Sequence, residues 1–223
     1  MNNLTLIIPA KNEKESLPHV LEDLQNKNFQ IHVILEESDQ LTINSISKYN
    51  TKIIFQKGQG YGDALIEGIN SVTSKFFCIF NADGSFESKE IDTMLKKIND
   101  NNSDFIFGSR YEDNSGSEDD TIITKVGNFI FTLIGKIFFK LNISDILYTF
   151  VLGKTECAKQ LNLEQKDFSF CVELPIKAKR KGMKLDIINC YEKKRIGGEK
   201  KVNAFKDGYL ILIYMIKLYF NKK

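Results

Sequence analysis

Phe76-Phe77-Cys78-Ile79-Phe80-Asn81-Ala82-Asp83-Gly84-Ser85-Phe86 decides how this chain folds. Five apolar residues stop at an amide, and a carboxylate and a glycine come next. The apolar run is too short for a helix and reads as a strand buried on both faces. Asn81, Ala82 and Asp83 then lie at its carboxyl end, where open α/β sheets gather ligands. A carboxylate beside an amide there suits Mg²⁺ or Mn²⁺, hard cations that take oxygen ligands and keep phosphate oxygens as co-ligands. The stretch therefore points to a metal-bridged nucleotide.

Outward from it, strand and helix patterns alternate. Strands are expected at Leu4–Pro9, Ile31–Leu35, Lys52–Phe55, Phe76–Phe80 and Asp104–Gly108. Helices are expected at Glu13–Leu24, Thr42–Tyr49, Asp63–Val72 and Glu90–Ile98. Repeated βα units with short links predict a doubly wound, mostly parallel, Rossmann-like sheet flanked by helices. The polar loop Glu112–Asp120 reads as the most flexible segment.

The second half differs. Ile122–Leu141 is apolar except for Lys125, Lys136 and Lys140, which fall within roughly 60° of one another on a helical wheel, with Asn128 and Thr132 beside them. Tyr209–Phe220 is a second apolar helix, interrupted by Lys217. Neither holds about 20 uninterrupted apolar residues, so each is expected to lie in a membrane interface rather than to span it. Packing on the sheet, or a homo-oligomer contact, is the open alternative. The expected division is a domain over 1–204, containing an interface helix at 122–141, and a C-terminal apolar and basic helix over 205–223.

The 223 residues carry a formal net charge of +2, so no general attraction to nucleic acid is expected, although Lys193–Lys201 is locally basic. Four dispersed cysteines form no Cys-x-x-Cys pair, which argues against a zinc site. Cys78 and Cys171 read as buried thiols. No basic leader precedes the first strand, and a cytoplasmic location is expected.

Further candidate sites lie past the other strands. Pro9-Ala10-Lys11-Asn12-Glu13 comes after the first; it can hold a base or ribose, or cap a helix through Asn12 with Glu15 in the first turn. Glu36-Glu37 comes after the second, where a carboxylate can accept from ribose or base. Gly58-Gln59-Gly60-Tyr61-Gly62-Asp63 lets a backbone approach a diphosphate. Gly108-Ser109-Arg110-Tyr111 offers a planar guanidinium to phosphate. Arg195-Ile196-Gly197-Gly198-Glu199-Lys200 reads as a basic loop able to close over an anion.

In this order and spacing the motifs resemble the family 2 glycosyltransferases of the GT-A fold, above all the dolichol-phosphate mannosyltransferase and polyprenyl-phosphate glycosyltransferase branch. Phe170-Cys171-Val172-Glu173-Leu174 resembles the segment before that family's last strand. The resemblance implies metal-dependent, inverting transfer from a nucleotide sugar to a lipid phosphate, by a protein peripheral on the inner face of the cytoplasmic membrane and working in envelope or glycoconjugate synthesis. It implies nucleotide contacts at Pro9, Ala10, Asn12, Glu13, Glu37, Gly60, Asp63, Asn81 and Ala82. It places the metal at Asp83 with Asn81 and Ser85, and phosphate contacts at Arg110, Arg195 and Lys200. A hydroxyl acceptor would need a base, for which Asp145 is the candidate. The chain departs from the pattern at Asn81, a carboxylate in relatives, and at Tyr148-Thr149-Phe150-Val151, where an acceptor-side Arg is missing. Nucleotidyl transfer and a non-catalytic nucleotide-binding role are the competing readings.

Overall fold

The computed structural model describes residues 3–197 and 201–221. The first half shows the expected alternation: β1 (Leu4–Pro9), α1 (Leu17–Leu24), β2 (Gln30–Leu35), α2 (Gln40–Ser45), β3 (Lys52–Phe55), α3 (Tyr61–Ser71), β4 (Phe76–Ile79), α4 (Lys89–Asp100) and β5 (Phe105–Ser109). After these come β6 (Gly116–Ser117), α5 (Ile122–Phe139), β7 (Val151–Lys154), α6 (Thr155–Lys159), α7 (Phe170–Arg180), β8 (Leu185–Asn189), β9 (Tyr191–Glu192) and α8 (Ala204–Phe220).

Seven strands form one sheet in the order β3-β2-β1-β4-β7-β5-β8. All its pairings are parallel except those of β7, which runs antiparallel between β4 and β5. The ends of β1, β2, β3, β4 and β5 therefore share one edge. Alternation along each strand divides the core. Leu6 and Ile8 pack with Leu17, Leu21, Met94 and Ile98 on one face, whereas Ile7 packs with Leu65, Ile69, Phe170 and Leu174 on the other. Cys78 and Cys171 are buried free thiols, as expected.

Helix α1 begins later than the sequence suggests. Asn12 does not cap it: Asn12 takes a left-handed φ of 55° and its backbone N–H donates to Asp39 Oδ2 at 2.7 Å. Pro18 sits in the first turn of the helix, where its missing N–H costs nothing. The residues before it form a turning loop past the end of β1.

Helices α5 and α8 pack on α7 through Phe131, Phe139, Val172, Ile176, Ile211, Met215 and Leu218. Of the polar stripe of α5, Asn128 and Thr132 point inward, whereas Lys125, Lys136 and Lys140 are exposed. Asn128 is buried, its amide donating to Asp145 Oδ1 at 2.6 Å and its oxygen accepting from Leu147 N at 3.0 Å. Thr132 is also buried and accepts from Ile146 N. The opposite face, with Ile122, Val126, Phe129, Leu133 and Ile137, is exposed, and so are Phe205, Tyr209, Ile213 and Ile216 of α8. By length and composition, α5 alone among the described helices could cross a membrane, with a mean hydropathy of 1.6. Its buried stripe, however, belongs to the protein core. Helix α8 shares that core too, through Ile211, Tyr214, Met215 and Leu218.

Candidate active site

A cavity of about 520 Å³ opens at the shared edge. Strands β1 to β5 each contribute residues at or just past their ends: Pro9, Ala10 and Glu13 at β1, Glu36 at β2, Gln56 at β3, Asn81, Ala82 and Asp83 at β4, and Arg110 at β5. Asp119 and Asp120, the start of α5 at Thr124 and Asn128, and Arg195 and Lys201 close the far side.

Asp83 sits on a tight turn. Its Oδ1 accepts from Ser85 N at 3.0 Å, and Gly84 has a φ of 82°, where a β-carbon would strike the Ile196 side chain. The second carboxylate oxygen lies 3.5 Å from Arg195 Nη2. Arg195 is held from its other side by Asp119, with Nε to Oδ1 at 3.3 Å and Nη2 to Oδ2 at 3.0 Å. Burial works against the guanidinium charge, but the Asp119 bonds and the nearby Asp83 and Glu13 carboxylates outweigh it and raise its pKa further.

Asp83 and Asn81 form an oxygen-bearing pair on the cavity wall, with the Asn81 amide nitrogen turned to Ser85 Oγ at 3.4 Å. Among the described residues no cluster of three His, Cys, Asp or Glu side chains could hold a metal. One carboxylate, one amide and a ligand diphosphate nevertheless fit a cation of the Mg²⁺ type, which commonly takes one or two carboxylates and leaves the rest of its shell to water and phosphate. Ser85, the third expected metal neighbour, is buried and does not line the cavity, its Oγ facing the Asn81 amide.

Other expected residues are placed differently from the expectation. Glu37 is exposed and off the cavity, whereas Glu36 lines it and pairs with Lys11 at 2.9 Å; only one of two neighbours leaving a strand can turn inward. Asn12 lines only a smaller adjoining recess of about 200 Å³. Asp63 is turned away from the cavity, its Oδ2 accepting from Gly58 N at 3.0 Å and its Oδ1 3.4 Å from Lys166 Nζ. It holds the glycine turn rather than a nucleotide. Gly60 does line the cavity; its φ is 104°, and a β-carbon there would lie 2.2 Å from Lys166 O. Lys200 falls outside the described residues.

Asp145 is misplaced as a base. It is fully buried, and its two oxygens accept from Arg110 N, Nε and Nη2 and from Asn128 Nδ2 at 2.6–3.1 Å. Arg110 also donates to Glu192 at 2.9 Å and lies 4.5 Å from the Tyr148 ring centre. Burial opposes its charge, and Asp145 and then Glu192 more than restore it, so its pKa stands well above the usual value. Arg110 reaches the wall as a guanidinium braced by two acids.

Sequence reasoning missed much of the far wall. Tyr61 and Phe168 stack at 5.1 Å beside the glycine turn, and the Tyr61 hydroxyl meets Thr149 Oγ1 at 2.6 Å. Beneath them the 164–168 segment is tied down by Glu173, whose buried carboxylate accepts from Glu164 N, Gln165 N and the Tyr214 hydroxyl, with Lys177 Nζ at 2.8 Å. Asp119 and Asp120 lie in the loop that read as merely flexible. Asp120 accepts from Tyr111 and Thr124 hydroxyls, and that organised turn leads into the Thr121 cap of α5. The acidic run Glu118-Asp119-Asp120 was the available signal.

Residues 5–161 match the family described as glycosyl transferase family 2. An uncharacterized glycosyltransferase of Mycobacterium tuberculosis is 23% identical over 210 residues, 94% of each chain. An uncharacterized protein of Methanocaldococcus jannaschii is 23% identical over 82% of this chain and 79% of its own. A crystal structure of glucosyl-3-phosphoglycerate synthase from M. tuberculosis with Mn²⁺, UDP and glucosyl-3-phosphoglycerate superposes with a TM-score of 0.73 at 10% identity, covering 98% of this chain and 80% of that one. Mannosyl-3-phosphoglycerate synthase from Rubrobacter xylanophilus gives 0.68 at 10% identity, over 97% and 73%. At such identities these structures share the fold, the GT-A arrangement expected from the sequence.

Proposed function

The chain belongs to glycosyl transferase family 2, and from that premise we propose that it moves a sugar from a nucleotide-sugar donor to a polyprenyl phosphate at the cytoplasmic face of a membrane. Pro9, Ala10, Glu13 and Glu36 meet the nucleoside end of the donor, and Asp83 and Asn81 would hold Mg²⁺ or Mn²⁺ at the diphosphate. A divalent ion there supplies electrophilic stabilisation of the departing diphosphate. Arg195 adds a positive charge beside it, while Arg110 stands at the wall already matched by Asp145 and Glu192.

One observation carries the choice of acceptor. Every carboxylate on the cavity wall already has a partner: Glu13 has Ser16, Glu36 has Lys11, Asp83 and Asp119 share Arg195, Asp120 has Tyr111, and Glu192 has Arg110. A neutral hydroxyl would need one of them released as a base. A phosphate arrives ionised, its oxygen attacks the anomeric carbon directly, and the configuration inverts. The lipid part of the reading is supported by α5, whose Thr124 and Asn128 line the cavity while its apolar face lies exposed alongside. Contiguous apolar surface beyond a few hundred Å² marks a partner or a membrane.

The test is an assay with nucleotide-sugar donors, Mn²⁺ and either undecaprenyl phosphate in vesicles or 3-phosphoglycerate. Sugar transfer to the lipid supports the reading. Transfer to phosphoglycerate alone, as the names of the two synthases suggest for those proteins, overturns the lipid assignment. Release of pyrophosphate in place of nucleoside diphosphate would indicate nucleotidyl transfer.

A further inference from the structure

We propose that Arg195, parked by Asp119, is a resident counter-ion on Asp83 that disfavours a bare divalent cation and yields the carboxylate only to a cation arriving with a diphosphate. The inference rests on Asp83 being the metal ligand of the proposed donor site.

The backbone fixes the placement. Ile196 N donates to Asp83 O at 2.8 Å and Lys193 N donates to Ser85 O at 2.9 Å, so the 193–196 segment is laced to the turn that carries Asp83. The Ile196 side chain covers Gly84 from outside. Arg195 thus emerges directly beside the carboxylate. Asp119 is fixed in turn, since its N–H donates to Ser117 Oγ at 3.2 Å, next to the short β6–β9 pairing.

The two contacts of the guanidinium are unequal. Asp119 engages it through two nitrogens at 3.3 and 3.0 Å, whereas Asp83 meets a single nitrogen at 3.5 Å. A two-point, charge-assisted grip is the stronger and more directional of the two. The weaker contact is the one that gives way, and Asp119 keeps the guanidinium at the rim after it does.

The electrostatics set the order of events. A dication on Asp83 Oδ2 would stand against a guanidinium already within contact distance, and like charges at such separations repel strongly in a half-buried cleft. A diphosphate supplies anionic oxygens that pair with both the metal and Arg195. Metal and nucleotide therefore bind cooperatively, each improving the affinity of the other by the same factor.

Binding measurements on unliganded protein test this, by calorimetry and by the electron paramagnetic resonance of free Mn²⁺. The probes are Mn²⁺ alone, then Mn²⁺ with whichever of UDP and GDP binds more tightly. Wild type should bind Mn²⁺ weakly alone and about tenfold more tightly with the diphosphate, a coupling within the ordinary range. Arg195→Gln should bind Mn²⁺ alone more tightly than wild type by about that factor and should lose most of the enhancement. Arg195→Lys, which keeps the charge, should recover the weak bare affinity. Mn²⁺ affinity that is equal or lower in Arg195→Gln, with Asp83→Asn binding no metal, overturns the counter-ion role and leaves the metal site standing. Mn²⁺ binding that persists unchanged in Asp83→Asn overturns the site itself.

Discussion

The rim of the sheet and the outward face of the α5–α8 pair obey opposite rules. At the rim, charge is abundant and each acid is matched, with Asp145 against Arg110 and Asp119 against Arg195. On the helix pair, the polar residues Asn128 and Thr132 point inward while a second set of large apolar residues stands outward, with Ile122 83% exposed and Phe205 80% exposed. The contrast teaches that a helix is read by what its neighbour needs. Asp145 and the backbone of Ile146 and Leu147 require donors and acceptors, so Asn128 and Thr132 of α5 are drawn to the core while apolar residues on its other side stay exposed.

The largest break in this comparison should come from Asp83→Ala. Transfer, measured as nucleoside diphosphate release, should fall by roughly 10³-fold through loss of the metal's charge stabilisation, with the melting temperature nearly unchanged. Full activity in that variant would contradict the rim assignment. Next in size is Arg110→Ala, which strands the buried Asp145 carboxylate. Stability in urea should drop by about 3–5 kcal/mol. Replacing both Phe129 and Ile137, 67% and 62% exposed, with Ser addresses the other region. Flotation with anionic vesicles should weaken by roughly tenfold or more from the lost apolar burial, while stability shifts by only about 0.5 kcal/mol. Vesicle binding that is indifferent to this change would show that the face serves a different partner.

The smallest effect concerns Glu13. Burial raises its carboxyl pKa above 4.5, a shift only partly offset by Ser16 and Lys201. A group raised in the folded state favours folding below its unfolded pKa and loses that contribution as pH climbs through the folded one. Wild type should therefore lose a little stability from pH 4.5 toward neutrality on account of this group. In Glu13→Gln, unfolding measured across the same range should show a shallower loss.

The sheet edge was legible because β1 to β5 are apolar runs closed by turn residues, and parallel strands bring their ends together whatever the side chains are. Strand β7 was not legible: four residues containing Gly153 and Lys154 carry no alternation, and their place between β4 and β5 comes from long-range pairing. Helix α7 was hidden by Pro175 within it. At the site, the motifs after each strand indicated which segments matter but not which side chain turns inward, as Glu36 and Glu37 illustrate. Asp145 was assigned chemistry because its partner Arg110 stands 35 residues away, and its burial is set by contacts that no local pattern encodes.

Glu173 gives the C-terminal helix a second meaning. A single buried carboxylate fastens the Tyr214 hydroxyl of α8 and the 164–168 floor under Gly60 and Tyr61 to one point. The C-terminal helix and the floor of the cavity beside the glycine turn thus hang from the same peg. Trimming the chain ahead of Ala204 to obtain a better-behaved fragment would deprive that anion of its phenol and slacken the 164–168 floor from below, so α8 serves as a keel.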